Sequence, residues 1–133
     1  MPERLHRFAE AEFKWECAHG GIETIAFARV LGSMAINWVD LVRIPPGNSI
    51  GCHTHGHEDE EVYIVIDGKG ILTMEERQVE VGAGDVAHNP PGGRHGLYNH
   101  GERELRLVVV GVPACPVRSA AASGTVPDAA EAC

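Results

Sequence analysis

Glycine and proline cut this chain into short pieces. Turn clusters stand at Pro45-Pro46-Gly47, Asp67-Gly68-Lys69-Gly70, Gly82-Ala83-Gly84 and Asn89-Pro90-Pro91-Gly92-Gly93. Glycine supplies positive φ and proline fixes φ at such places, so the pieces between them are read as short strands rather than long helices. Those pieces are rich in β-branched and other apolar residues: 25–31, 35–44, 62–66, 70–74, 78–81 and 105–112. With 16 Gly and 8 Pro in 133 residues, this is the pattern of an all-β domain, a sandwich or small barrel. The length allows one domain and leaves little room for a second. Residues 25–112 are expected to form the barrel and residues 1–24 an arm over it, with Phe8, Phe13 and Trp15 covering one end. Residues 113–133, dominated by Ala, Ser, Gly and Pro, are expected to be a flexible tail.

Charge narrows the partners. Eleven Lys and Arg against 19 Asp and Glu give a net charge of −8, which disfavours nucleic acid and anionic membrane surfaces. No apolar run reaches membrane-spanning length, and the first residues lack the apolar core of a signal peptide, so a cytoplasmic protein is expected. Cys17, Cys52, Cys115 and Cys133 form no CxxC pair and are read as free thiols.

The histidines carry the chemistry. Three of the eight fall in Cys52-His53-Thr54-His55-Gly56-His57, followed by Glu58-Asp59-Glu60-Glu61. On a strand, residues i and i+2 share a face, so His53 and His55 can converge on one metal ion. Glu61 opens the next strand and can present a carboxylate, and His95 can follow from the Pro90-Pro91-Gly92 turn. His57 is expected to face solvent. Tyr63 shares the parity of Glu61, and these two are the candidate catalytic groups. His88 and Asn89 are polar interruptions, expected at the rim or facing outward; the alternatives are that the two enlarge or polarise the pocket or that His88 is an extra ligand. Trp38, Phe27, Met34 and Met74 are expected mainly in the core, and Arg94 and Tyr98 at the rim.

Taken together, the residues resemble the cupin superfamily. Gly84, Pro90, Gly92, His95 and Asn99 match the second cupin motif, G(X)5PXG(X)2H(X)3N, without exception. Gly47, His53, His55, Glu61 and Gly68 match the first, G(X)5HXH(X)3,4E(X)6G, with one extra residue between His55 and Glu61. Glu60 would restore the gap to Glu but spoil the spacing to Gly68, so Glu61 is preferred and Glu60 is the alternate. The resemblance implies a jelly-roll barrel of six to eight strands, often a homodimer. It also implies one divalent metal (Fe, Zn, Mn, Ni or Cu) held inside by His53, His55, Glu61 and His95. It further implies a small-molecule substrate and a reaction that is either dioxygenation or a non-redox cyclisation or isomerisation, as on secondary-metabolite or polyketide-like compounds. The alternative is a metal- or ligand-binding sensor module without turnover.

Overall fold

The computed structural model describes residues 5–17, 24–32, 35–54 and 56–114. Its elements, in chain order, are a 3-10 turn at Phe8–Glu10 and the strands β1 (Lys14–Cys17), β2 (Thr24–Leu31), β3 (Trp38–Ile44), β4 (Ser49–Thr54), β5 (Asp59–Asp67), β6 (Lys69–Met74), β7 (Arg77–Gly82), β8 (Val86–Asn89), β9 (Arg94–Tyr98) and β10 (Leu105–Pro113). They form a six-stranded sheet, β1-β2-β3-β10-β5-β8, and a four-stranded sheet, β4-β9-β6-β7. Every pairing is antiparallel. The all-β jelly-roll architecture expected from the sequence is the one observed, with ten strands among the described residues rather than six to eight. The extra strands are β1, contributed by the arm, and short pieces such as β8 whose sequence is too polar to announce itself.

The core lies between the sheets. β5 and β10 alternate buried and half-exposed residues, so Tyr63, Val65, Leu107 and Val109 turn inward with Ile44, Leu72 and Leu97. Alternation of this kind is the period-2 pattern of a strand with one wet face. Gly47, Gly68 and Gly84 have the positive φ expected at their turns, 80°, 85° and 95°, and Gly92 shares it at 75°. Asn99 ties one end of the barrel together. Its Nδ2 donates to the carbonyls of Ile44 and Arg103 at 2.8 and 2.9 Å, and its Oδ1 accepts from the Gly101 amide at 2.9 Å.

The arm departs from expectation. Its aromatic residues do not close an end of the barrel but lie on the outer face of the six-stranded sheet. Arg43 and Arg106, paired across β3 and β10, place their guanidinium groups 5.1 to 5.4 Å from the rings of Phe13, Trp15 and Phe8. Two cations on an exposed sheet face offer those rings a better surface than the barrel rim does. No helix among the described residues is long and apolar enough to cross a membrane. Cys17 and Cys52 are free thiols; of the expected tail, 113–133, Pro113 instead ends β10 opposite Asp59, and the residues from 115 onward, Cys115 and Cys133 among them, lie outside the described residues.

Candidate metal centre

Register explains which side chains meet inside the barrel. Residues directly opposite on antiparallel strands point to the same face. Across the six-stranded sheet, Trp38 is opposite Gly111, Gly111 opposite Glu61, and Glu61 opposite Asn89. The neighbouring inward row is Arg29, Asp40, Val109, Tyr63 and Ala87. Gly111 is required in the first row because Trp38 fills its side-chain space: a Cβ there would collide with the indole.

The facing sheet supplies the imidazoles. β4 and β9 pair Ile50 with Leu97 and His53 with His95, with a bulge between the two pairs. Two residues, Gly51 and Cys52, stand between Ile50 and His53, one more than strict alternation needs. The bulge therefore lets both Ile50 and His53 face inward while Cys52 stays exposed. The His53 and His95 rings lie edge to face with centroids 4.4 Å apart.

His53, Glu61 and His95 each bring a potential ligand atom within 4.8 Å of the others. Glu61 and His95 are both buried, and His95 Nε2 donates to Glu61 Oε1 at 3.1 Å. His53 Nδ1 lies 2.7 Å from the Gly51 carbonyl. A carbonyl only accepts, so Nδ1 carries the proton and Nε2 keeps its lone pair, the tautomer a metal needs. Two donors bound side by side on one ion, with bonds of about 2.1 Å, stand about 3 Å apart, close to the His95–Glu61 separation. The donor set thus fits a divalent ion, although its mixed nitrogen and oxygen character does not select one element.

The further candidates fall in different places. His55 lies outside the described residues. His57 stacks on Gly92, whose absent Cβ would fall 2.5 Å from the ring, and it is exposed. Glu60 faces outward and pairs with His88 at 2.9 Å, so Glu61 is the carboxylate that shares the interior with the histidines. Tyr63 is buried edge-on to His95, ring centroids 5.6 Å apart. Burial, and after it the Glu61 carboxylate, pushes the Tyr63 phenol well above its ordinary pKa, so it stays a neutral donor. The expected rim position of Asn89 does not hold: it is 2% exposed, because its parity with Glu61 turns it inward while His88 turns out. Neither amide atom of Asn89 has a hydrogen-bond partner among the described residues, a situation that costs about 1–3 kcal/mol.

A cavity of about 250 Å³ opens onto this region, lined among others by Phe27, Arg29, Asp40, Glu61, Tyr63 and Val109. A larger concavity, about 570 Å³, runs between the arm and β2, with none of His53, Glu61 or His95 among its lining residues. In the smaller one, Arg29 Nε and Nη2 donate to the two Asp40 carboxylate oxygens at 2.9 and 3.1 Å. Asp40 hydrogen bonding holds the Arg29 guanidinium above its ordinary pKa against its own desolvation. The sequence reading passed over this pair. Its signal was a lone charge at inward parity on each of two successive apolar strands, Arg29 within 25–31 and Asp40 within 38–44. Glu16, Asp40 and Glu61 against Arg29 leave the lining net negative, which complements a cation. Met34, considered for the cavity wall, lies outside the described residues, whereas Trp38 and Met74 pack against the core.

Comparison with known proteins agrees with this fold. The model of the cupin domain family matches residues 40–111. An oxalate-binding protein of Thermotoga maritima is 35% identical over 69 residues, 52% of this chain and 56% of that protein. An uncharacterized protein of Methanocaldococcus jannaschii is 30% identical over 70 residues, 53% of this chain and 55% of its own length. The chain thus spans just over half the length of these two relatives. Among solved structures, a predicted oxalate decarboxylase of Thermotoga maritima superposes with TM-score 0.78 at 24% identity, covering 83% of this chain and 99% of that one. An uncharacterized conserved protein of Klebsiella pneumoniae with a double-stranded β-helix domain gives 0.68 at 25% identity, covering 84% and 90%.

Proposed function

Starting from a chain that belongs to the cupin domain family, we propose that it is a metal-dependent cupin that binds and transforms a small, oxygen-rich organic molecule. The observation that carries this reading is the convergence of His53, Glu61 and His95 beside a cavity whose lining is net negative. These three would hold the ion, with His55 as a fourth ligand from the motif that places it two residues after His53. A divalent ion in that position supplies Lewis acidity, or electron transfer if it is redox-active, to a ligand bound through oxygen.

The chain's own groups set what can enter. A volume of about 250 Å³ corresponds to about eight water molecules, a size that suits a compact acid or enolic compound better than a fused polyketide. Phe27 and Val109 provide apolar walls that exclude water from one side. Tyr63, held as the neutral phenol, can donate a hydrogen bond to a ligand oxygen, and Glu61 lines the same cavity as a group able to accept a proton. Arg29 is fixed by Asp40 through Nε and Nη2, and Nη1 takes no part in that pair, so it can receive a carboxylate. The name of the Thermotoga maritima relative, an oxalate-binding protein, supports a small carboxylate. It equally supports a second reading, in which the site binds such an anion without turnover.

Elemental analysis of protein purified without chelators or affinity nickel tests the proposal. About one metal ion per chain is expected, lost in His53→Ala while the circular dichroism of the β domain persists. His53→Ala protein with a full metal complement would overturn the ligand assignment. Oxygen consumption with carboxylic and enolic compounds by the metal-loaded protein then separates dioxygenation from non-redox chemistry, and absence of any turnover favours the binding reading.

A further inference from the structure

The inward row Trp38, Gly111, Glu61 and Asn89 holds one group that neither the fold nor the ligand set accounts for. The Asn89 amide is buried on the face it shares with Glu61, and neither its Nδ2 nor its Oδ1 meets a partner among the described residues. A buried amide left in that state opposes folding, and native interiors contain few of them. An apolar side chain of the same shape would serve the barrel better if packing were its whole task. Cβ atoms of directly opposed residues stand about 5 Å apart, so the Asn89 amide can reach the Glu61 carboxylate by side-chain rotation alone.

We propose that Asn89 is a positioning residue for the metal centre, whose Nδ2 donates to the Glu61 carboxylate when an ion is bound. The inference rests on the metal-binding reading above and adds a residue to it. The His95 Nε2 atom can donate its proton to Glu61, as it does at 3.1 Å, or turn a lone pair to an ion, but not both at once. Asn89 stands opposite Glu61 to replace that donor and to fix which way the carboxylate points. Its Oδ1 is then left to accept from water or a bound molecule. The two roles of the position oppose each other: the amide weakens the metal-free fold and strengthens the metal-bound one.

Zinc titration against a competing chelator, and thermal melting of the metal-free protein, test this with wild type, Asn89→Leu and Asn89→Gln. Asn89→Leu should raise the melting temperature of the metal-free protein and weaken zinc binding by tenfold to a hundredfold. Asn89→Gln, which keeps a donor, should recover part of the lost affinity. Zinc affinity of Asn89→Leu within threefold of wild type overturns the proposal. So does a loss of affinity accompanied by a lower metal-free melting temperature, since that is the behaviour of a residue needed only for packing. Wild-type protein that binds no zinc, manganese or iron would instead overturn the metal-binding reading itself, so the two failures are told apart.

Discussion

Gly96 lies between His95 and Leu97 on β9, with its missing side chain directed at β4. A Cβ built there would stand 2.8 Å from Cys52 Sγ and 2.9 Å from both Cys52 Cα and Cys52 N. Ordinary contact begins near 3.4 Å, so β4 and β9 would have to separate by about half an ångström. The sulfur can rotate away, but the Cys52 backbone cannot, because it sits inside the bulge that aims His53 inward. Gly96→Ala should therefore cost about 1–3 kcal/mol of stability, the usual penalty of overpacking. The same widening moves His53 away from His95, whose rings are 4.4 Å apart, and metal affinity should fall at least tenfold. Denaturant unfolding of the metal-free protein and zinc titration measure the two effects. Gly82→Ala is the matched control: its Cβ would meet only Gly68 O at 3.6 Å, and stability should change by less than about 0.5 kcal/mol. Gly96→Ala protein with the wild-type unfolding midpoint and zinc affinity would refute the claim that this strand spacing positions the histidines.

Two further outcomes separate stability from the site. Asn99→Ala strands two carbonyls and an amide at the opposite end of β9 and should cost about 3 kcal/mol in denaturant unfolding; lying four residues and about 13 Å along the strand from His95, it should leave zinc affinity unchanged in protein that is still folded. Glu104 is the expected acid-sensitive group. Burial alone would raise its pKa, but hydrogen bonds and charge from Arg43 and Arg106 overcome this and leave it below the ordinary 4.5. A carboxyl lowered in the folded state adds stability that is fully present above its unfolded value and is lost as pH falls through the folded value. Glu104→Gln should thus be less stable than wild type at pH 7, and the difference should vanish under acid. Partial exposure of the carboxylate keeps the effect small and salt-sensitive. Urea midpoints compared from pH 7 to pH 3 read it, and a constant gap across that range would refute the assignment.

The barrel was legible in the sequence because its determinants are local. Glycines at positive φ mark the turns, but 62–66 is apolar throughout and 105–112 nearly so, so the inward face of β5 was legible only through the motif that singles out Glu61, with Tyr63 following from shared parity. Parity stops working where a strand carries an extra residue. The bulge at Gly51 and Cys52 decides which way His53 points, and its one local signal in Ser49–Thr54, the strand glycine Gly51, does not fix the register with β9. Cross-strand effects were equally hidden. Gly111 reads as an ordinary strand glycine until Trp38, more than seventy positions earlier, is seen occupying its side-chain space. Arg29 and Asp40 read as isolated charges until β2 and β3 place them opposite each other.

Asn89 shows why the polar residues of such a chain are harder to read than the apolar ones. Hydrophobic pattern would assign the position between His88 and Pro90 to the rim, because an amide next to a turn is ordinarily solvated. Register with Glu61 overrides that tendency and buries the group. A residue that violates its local preference, and gains no partner by doing so, is retained at a cost to the fold alone. Such violations are expected where a site must hold chemistry rather than where a core must close. In this barrel the violation sits beside the only acidic residue that the metal-ligand cluster contains among the described residues. Both facts fit the proposed metal site at the end of the barrel where β5 and β8 bring Glu61 and Asn89 together, whereas Asn99, hydrogen-bonded through both amide atoms, secures the opposite end of β9.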